Sequence, residues 1–182
     1  MSSGNESPPP ALIILSGLPG SGKTTFARTL VNTVPAVHVE SDAVRRALAP
    51  APRYTQSENR RVFDEVERLA DAALASGRIA LVDATNLRHD DRLRFHSLAA
   101  RSRVPLIGIR VIAPPRVIRA RLAAPRRGHS QAGLDVFERM RGRAQRFLDP
   151  SIVVDTRYSL DPSLRLLARL LKESKLWTPP VP

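Results

Sequence analysis

The sequence predicts an α/β domain: a parallel sheet of about five strands flanked by helices. Short apolar runs alternate along the chain with segments of helical periodicity, the pattern of strands joined by helical crossovers. The first apolar run also enters a glycine-rich turn that opens a helix, a junction typical of such units. At 182 residues and 42% hydrophobic, the chain has the size and apolar content of one buried core.

Each element can be justified in order. ALIILS (11–16) reads as a buried strand, and TTFARTLVN follows with Phe26, Leu30 and Val31 at helical spacing. AVHVE (36–40) is a second strand, running into the helix-like SDAVRRAL. Within 58–76, Val62, Val66, Leu69 and Ala73 form a stripe at steps of four, three and four. Thr55 and Glu58 make a capping box ahead of it, and Gly77 closes it. RIALVDATN (78–86) gives a third strand, and DDRLRFHSLAARS a further helix. VPLIGIRVIA (104–113), the longest apolar run, is expected at the centre of the sheet. Pro114 and Pro115 end it before the helical RVIRARLA. A glycine- and arginine-rich stretch precedes the helix DVFERMRGRAQRF. SIVVDT (151–156) is the last strand, and SLDPSLRLLARLL the last helix, with Asp161 as cap and Pro162 at its first position. Residues 1–10 read as a disordered lead-in, 11–172 as the domain with a lid at about 124–134, and 173–182 as a loose tail.

Composition narrows the function classes. No apolar run is long enough to span a membrane, and MSSGNESPPP lacks the layout of a secretory signal. With no cysteine there is neither a disulfide framework nor a thiolate metal site. A soluble, cytoplasmic protein with no membrane partner is expected. The net charge is +12, and residues 88–146 carry 15 arginines against Asp90, Asp91, Asp135 and Glu138. Such a basic segment favours polyanionic partners, nucleotides or nucleic acid.

The most specific signal is GLPGSGKT (17–24), which fits G-x-x-x-x-G-K-[ST] after a strand and before a helix. Gly20 and Gly22 let consecutive backbone N–H groups turn inward around phosphate oxygens. The helix beginning near Lys23 points its unpaired amides and positive dipole end at the same anion. Lys23 reaches the β- and γ-phosphates, and the Thr24 hydroxyl ligates Mg²⁺. Gly17, Pro19, Ser21 and Thr25 complete the ATP-binding set. No N-K-x-D guanine reader and no L-S-G-G-Q signature occurs, and the chain is short for a motor. A small kinase is left by elimination.

Asp42 poses the question of function. It follows the second strand and precedes a helix, so it can cap that helix. In a doubly wound parallel sheet the carboxyl ends of the strands also face the ligand. There a carboxylate can take the proton of an acceptor hydroxyl as it attacks the γ-phosphate. Arg45, one turn on, could hold an anionic group of the acceptor. The third strand ends in Asp83, Thr85 and Asn86; Asp83 resembles a Walker B carboxylate that reaches Mg²⁺, and Thr85 and Asn86 face the acceptor or serve as turn chemistry.

Four motifs, GLPGSGKTT, ESDAVR, DATN and PRRGHSQAGLDVFERM, resemble the P-loop kinases around phage-type polynucleotide 5′-kinase, zeta toxin and chloramphenicol phosphotransferase, an AAA-type kinase domain of the P-loop NTPase fold. The likeness spans roughly residues 11–172. It implies Asp42 as general base, Arg45 on substrate phosphate and an arginine-rich lid. In that lid Arg127, or alternatively Arg126, would close over the nucleotide phosphates and stabilise transferring charge. The family order at the third strand is Asp-Thr-Asn, whereas Ala84 here separates Asp83 from Thr85. His129 has no assigned role. The resemblance implies ATP and Mg²⁺ as cofactors and a phosphotransferase reaction. The expected acceptor is the 5′-hydroxyl of a polynucleotide. A small-molecule kinase, for a metabolite, nucleoside or antibiotic hydroxyl, and a non-catalytic ATP-regulated RNA-binding protein are the alternatives. Tyr54 is the candidate to stack an acceptor base.

Overall fold

The computed structural model describes residues 8–49, 51–124, 133–143 and 150–173. The lead-in and tail expectations, and the lid residues Arg126, Arg127 and His129, lie mostly or wholly outside this set. Five parallel strands, β1 (Leu12–Ser16), β2 (Ala36–Glu40), β3 (Ile79–Asp83), β4 (Leu106–Ile112) and β5 (Ile152–Asp155), stand in the order β2-β3-β1-β4-β5. The expected parallel α/β sheet is therefore present.

The longest apolar run, β4, is an interior strand between β1 and β5, as expected, and β1 stands in the middle of the five. All five residues of β1 are buried, whereas β4 carries Arg110 in its middle and ends exposed at Ile112. Beyond β4 stands only the four-residue β5.

Alternate residues of β1 serve opposite faces, as the two-residue period of a strand demands. Leu12 and Ile14 pack with Val62, Val66, Phe95 and Leu98 from α3 (Gln56–Ala75) and α4 (His89–Ser102). Ile13 and Leu15 pack on the other side with Phe26 and Leu30 of α1 (Lys23–Val31) and Leu164 and Leu167 of α7 (Asp161–Glu173). The sheet is thus covered on both faces, and its open ends are the only places where polar groups can converge. A third apolar cluster joins Ile118 and Leu122 of α5 (Pro115–Ala123) to Phe137 of α6 (Leu134–Arg143), with Leu18 and Ala113 against it. This cluster seats the phosphate-loop segment on α5.

The short helix α2 (Ser41–Leu48) follows β2 without a linker. Its N-cap is Glu40, and no side chain caps it. At α3 the Thr55 hydroxyl does accept from the Glu58 amide, at 3.2 Å. The reciprocal half of the expected capping box is redirected: the Glu58 carboxylate accepts from the backbone amides of Arg53 and Tyr54 instead.

Candidate active site

The phosphate loop hangs between β1 and α1. Gly22 is the N-cap of α1 at φ +100°, and Gly20 stands at φ +77°, a region open to glycine and strained for other residues. Space forbids side chains there as well. A Cβ on Gly20 would meet Leu122 at 2.9 Å, and one on Gly22 would meet Thr156 at 3.0 Å. The loop is therefore pressed onto α5 and onto the end of β5, and its amides open the other way. The first N–H groups of α1, which no intrahelical carbonyl can accept, face the same space. Lys23 closes the curve, its Nζ donating to the carbonyls of Gly17 (3.0 Å) and Leu18 (3.1 Å). Burial lowers the Lys23 pKa from its ordinary value, against the opposing pull of Asp83 and Asp42.

Two further strand ends meet this loop. Asp83 ends β3 and is 3% exposed, and His38 Nε2 lies 3.3 Å from its Oδ2. Asp42 sits in the first turn of α2 and caps nothing. The two carboxylates share with Lys23, Thr24 and Thr85 a cavity of 1260 Å³. From the loop this cavity runs between the N-terminal ends of α3 and α4, where Gln56, Asn59, Arg60 and Phe63 line it at helical spacing.

The predicted residues separate on this frame. Gly20, Gly22, Lys23, Thr24, Asp42, Asp83 and Thr85 come together around one space, with Pro19 and Thr25 beside them. Asn86 does not reach it. This side chain is 0% exposed at φ +44°, with its amide donating to the Leu15 carbonyl at 2.7 Å. The Asn86 backbone carbonyl accepts from Ser16 Oγ and from Arg92, and the amide of Gly17 donates to the Thr85 carbonyl. The D-x-x-N turn thereby fastens β3 to the root of the phosphate loop, and Thr85 is the member that faces the cavity. Arg45 reaches the cavity but is already engaged. It is 8% exposed, pairs with the Glu58 carboxylate, donates to Asn59 Oδ1 at 2.8 Å, and stacks on Tyr54 at 4.8 Å. Its Nε alone is buried without a partner.

Sequence reading missed three groups. Arg121 of α5 donates to the hydroxyl and carbonyl of Thr156 and to the loop carbonyls of Ser21 and Gly20. Thr156 itself donates to Ser21 at 2.7 Å. Arg92 is 1% exposed beneath the D-x-x-N turn. A signal for Arg92 was available: Arg92, Phe95 and Ala99 share the buried face of α4, so an arginine occupies an apolar register. His38 occupies an ordinary strand position, and only the register of β2 on β3 brings it to Asp83.

The expected metal fits the donors present. A hydroxyl and a buried carboxylate are hard oxygen ligands of the kind Mg²⁺ takes in small number beside phosphate and water. No group of three His, Cys, Asp or Glu side chains able to hold a metal occurs among the described residues.

Comparison with known proteins bears on the fold. No curated protein matches the chain closely. Among solved structures, the APS kinase CysC of Mycobacterium tuberculosis, in complex with AMPPNP and APS, shares 16% identity over 91% of this chain and 99% of that one, with a TM-score of 0.71. A gluconokinase from Sinorhizobium meliloti shares 16% identity over 92% and 97%, with a TM-score of 0.66. A chain of the Pnkp1/Rnl/Hen1 complex is 24% identical over 74% of this chain but 46% of its own length, with a TM-score of 0.57. These identities establish a common fold, the kinase-like P-loop architecture that the sheet order and phosphate loop already display. A family profile described as an AAA domain matches residues 12–147, most of the sequence, and the chain belongs to that family.

Proposed function

We propose that this protein is an ATP- and Mg²⁺-dependent phosphotransferase that moves the γ-phosphate to an acceptor hydroxyl, with Asp42 as general base. The observation that carries the proposal is the position of Asp42. It lies in the first turn of α2, serves no cap, and lines one cavity with Lys23, Thr24 and Asp83. A carboxylate free of any cap at that point is placed to take a proton from an acceptor hydroxyl.

The loop amides and Lys23 hold the nucleotide phosphates. Thr24 and Asp83 would hold Mg²⁺, which when bound neutralises charge on the phosphate oxygens. The acceptor oxygen bonds to the γ-phosphorus, its proton passes to Asp42, and the bond from γ-phosphorus to the β,γ-bridging oxygen breaks to leave ADP. Arg127, or Arg126, remains the proposed lid cation over the transferring group.

A compact alcohol is the acceptor proposed first. Part of the arginine charge of residues 88–146 is matched by carboxylates outside the segment: Arg94 pairs with Asp64 and Glu67, and Arg101 with Glu67. Arg92 and Arg121 are bonded into the turn and the phosphate loop. The net charge of the segment by itself therefore overstates, by those pairs, its pull on a polyanion. APS, a small molecule, is named in the CysC complex, and gluconokinase is named for a sugar acid. A polynucleotide 5′-end is the second reading, supported by the Asp42–Arg45 spacing and the likeness to the Pnkp1-containing complex.

Incubation with γ-labelled ATP, 5′-hydroxyl RNA, 5′-hydroxyl DNA and a metabolite extract tests both. Label in a small molecule supports the first reading, and label on an oligonucleotide supports the second. Absence of any labelled acceptor, with RNA binding that responds to ATP, would leave the non-catalytic alternative standing.

A further inference from the structure

The acceptor half of the cavity contains arginines of two kinds. Arg45, Arg88 and Arg94 line it, and each is held by a carboxylate: Glu58, Asp90, and the Asp64–Glu67 pair. Arg53 and Arg60 line it too, and neither guanidinium has a carboxylate partner among the described residues. They approach from adjacent segments. Arg60 projects from the face of α3 that also carries Gln56, Asn59 and Phe63, and Arg53 from the loop immediately before that helix.

The Arg53 segment is held in place. Its backbone amide donates to Glu58 Oε2 at 2.7 Å and that of Tyr54 at 3.1 Å, with Tyr54 at φ +54°. The same Glu58 holds Arg45 through its other oxygen. One carboxylate therefore fixes the loop that carries Arg53 and at the same time engages the arginine expected to read the acceptor. Arg45, more than nine-tenths buried, also lines this cavity, its two terminal nitrogens bonded to Glu58 and Asn59.

We propose that Arg53 and Arg60 are specificity-determining residues that clamp a phosphate group on the acceptor alcohol, while Arg45 is a positioning residue that shapes their platform. The substrate class is a compact phosphate-bearing alcohol. Two guanidiniums present several donors to one tetrahedral anion, and neither is paired with a carboxylate among the described residues. Asp42 lines the same half of the space, so the clamp sets which hydroxyl of the acceptor meets the base. The inference rests on the kinase reading, since it assigns the second substrate of that reaction.

Binding, rather than turnover, provides the test. The full chain is first saturated with Mg²⁺ and AMPPNP to fill the phosphate loop, and inorganic phosphate is then titrated by calorimetry, with acetate in a parallel arm. The expected result is one further phosphate site, weakened about tenfold or more by Arg53→Gln or Arg60→Gln. Arg46→Gln, an arginine of α2 that does not line the cavity, should leave it unchanged. Acetate should bind more weakly than phosphate. Glu58→Gln should weaken phosphate binding without removing either clamp residue, a response that surface charge alone would not give. A phosphate site indifferent to both variants, or no site beyond the filled loop, overturns the clamp and leaves the kinase reading intact. Failure of AMPPNP itself to bind overturns the kinase reading and the clamp with it.

Discussion

Arg121 and Thr156 grip each other through two hydrogen bonds, 2.8 Å to the hydroxyl and 3.0 Å to the carbonyl, and both also bond the Ser21 carbonyl of the phosphate loop. The loop is thus anchored from below by α5 and by the residue that follows β5, as well as by its own glycines. Arg121→Met keeps the stem that packs on the helix and removes the donors. Stability should fall by about 1–3 kcal/mol, the range for stranding partly buried acceptors, and AMPPNP affinity should fall with it. Calorimetry and a denaturant melt on the same sample would check this. A variant that melts earlier but binds AMPPNP as before would show that the anchor serves the fold alone.

Asp42→Asn separates the two uses of a carboxylate at a helix start. No cap is lost, so stability should stay within about 0.5 kcal/mol of the parent and AMPPNP affinity should be nearly unaltered. Transfer to the acceptor should drop by about 10²–10⁴-fold, the contribution of a positioned base. Lys23→Ala, by contrast, should weaken nucleotide binding and turnover together.

Asn86→Ala should behave in the opposite manner. The lost amide donor leaves the Leu15 carbonyl short of a partner inside the fold. A cost of about 1–3 kcal/mol is expected, with KM for the acceptor unchanged in the molecules that remain folded. A raised KM with unaltered stability would return Asn86 to the acceptor site.

Glu58 yields a pH-dependent prediction. Its hydrogen bond from Arg45 comes first among the causes that hold the carboxyl below its ordinary value of 4.5, with the Arg53 and Tyr54 amides assisting. The folded pKa lies beneath the unfolded one, so the ionised group stabilises the protein above 4.5, and that contribution fades as pH falls through the lower folded value. The stability gap between the parent and Glu58→Gln should therefore be constant near neutral pH and close as the solution is acidified below 4.5. A gap that stays open in acid would mean that the neutral carboxyl holds the loop equally well.

The order of elements, the phosphate loop and the strand-end carboxylates were legible because each is written locally: a run, a period, a glycine spacing. Position within the sheet was not. The longest apolar run became an interior strand beside the middle one, because order in the sheet is set by which strands pair with which, a property of the whole fold. Partner choice was equally hidden. The Asp42–Arg45 spacing places an arginine one turn from the base, but Glu58 and Asn59 on another helix determine what that arginine is free to do. Asn86 and Thr85 are neighbours in sequence, yet one is locked under the loop and the other faces the cavity. Only the left-handed turn at Asn86 separates them.

The place of β1 has a consequence for how the protein is made. Leu12 pairs with Ala80 on one side and with Leu106 on the other, so β1 leaves the ribosome before both of its neighbours and waits for them. Long-range parallel pairing of this kind is slow, and it leaves LIILS uncovered in the interval. The phosphate loop extends from the end of that waiting strand. A chain interrupted before Ile112 has the complete phosphate-loop signature in its sequence and no finished ledge from which to present it.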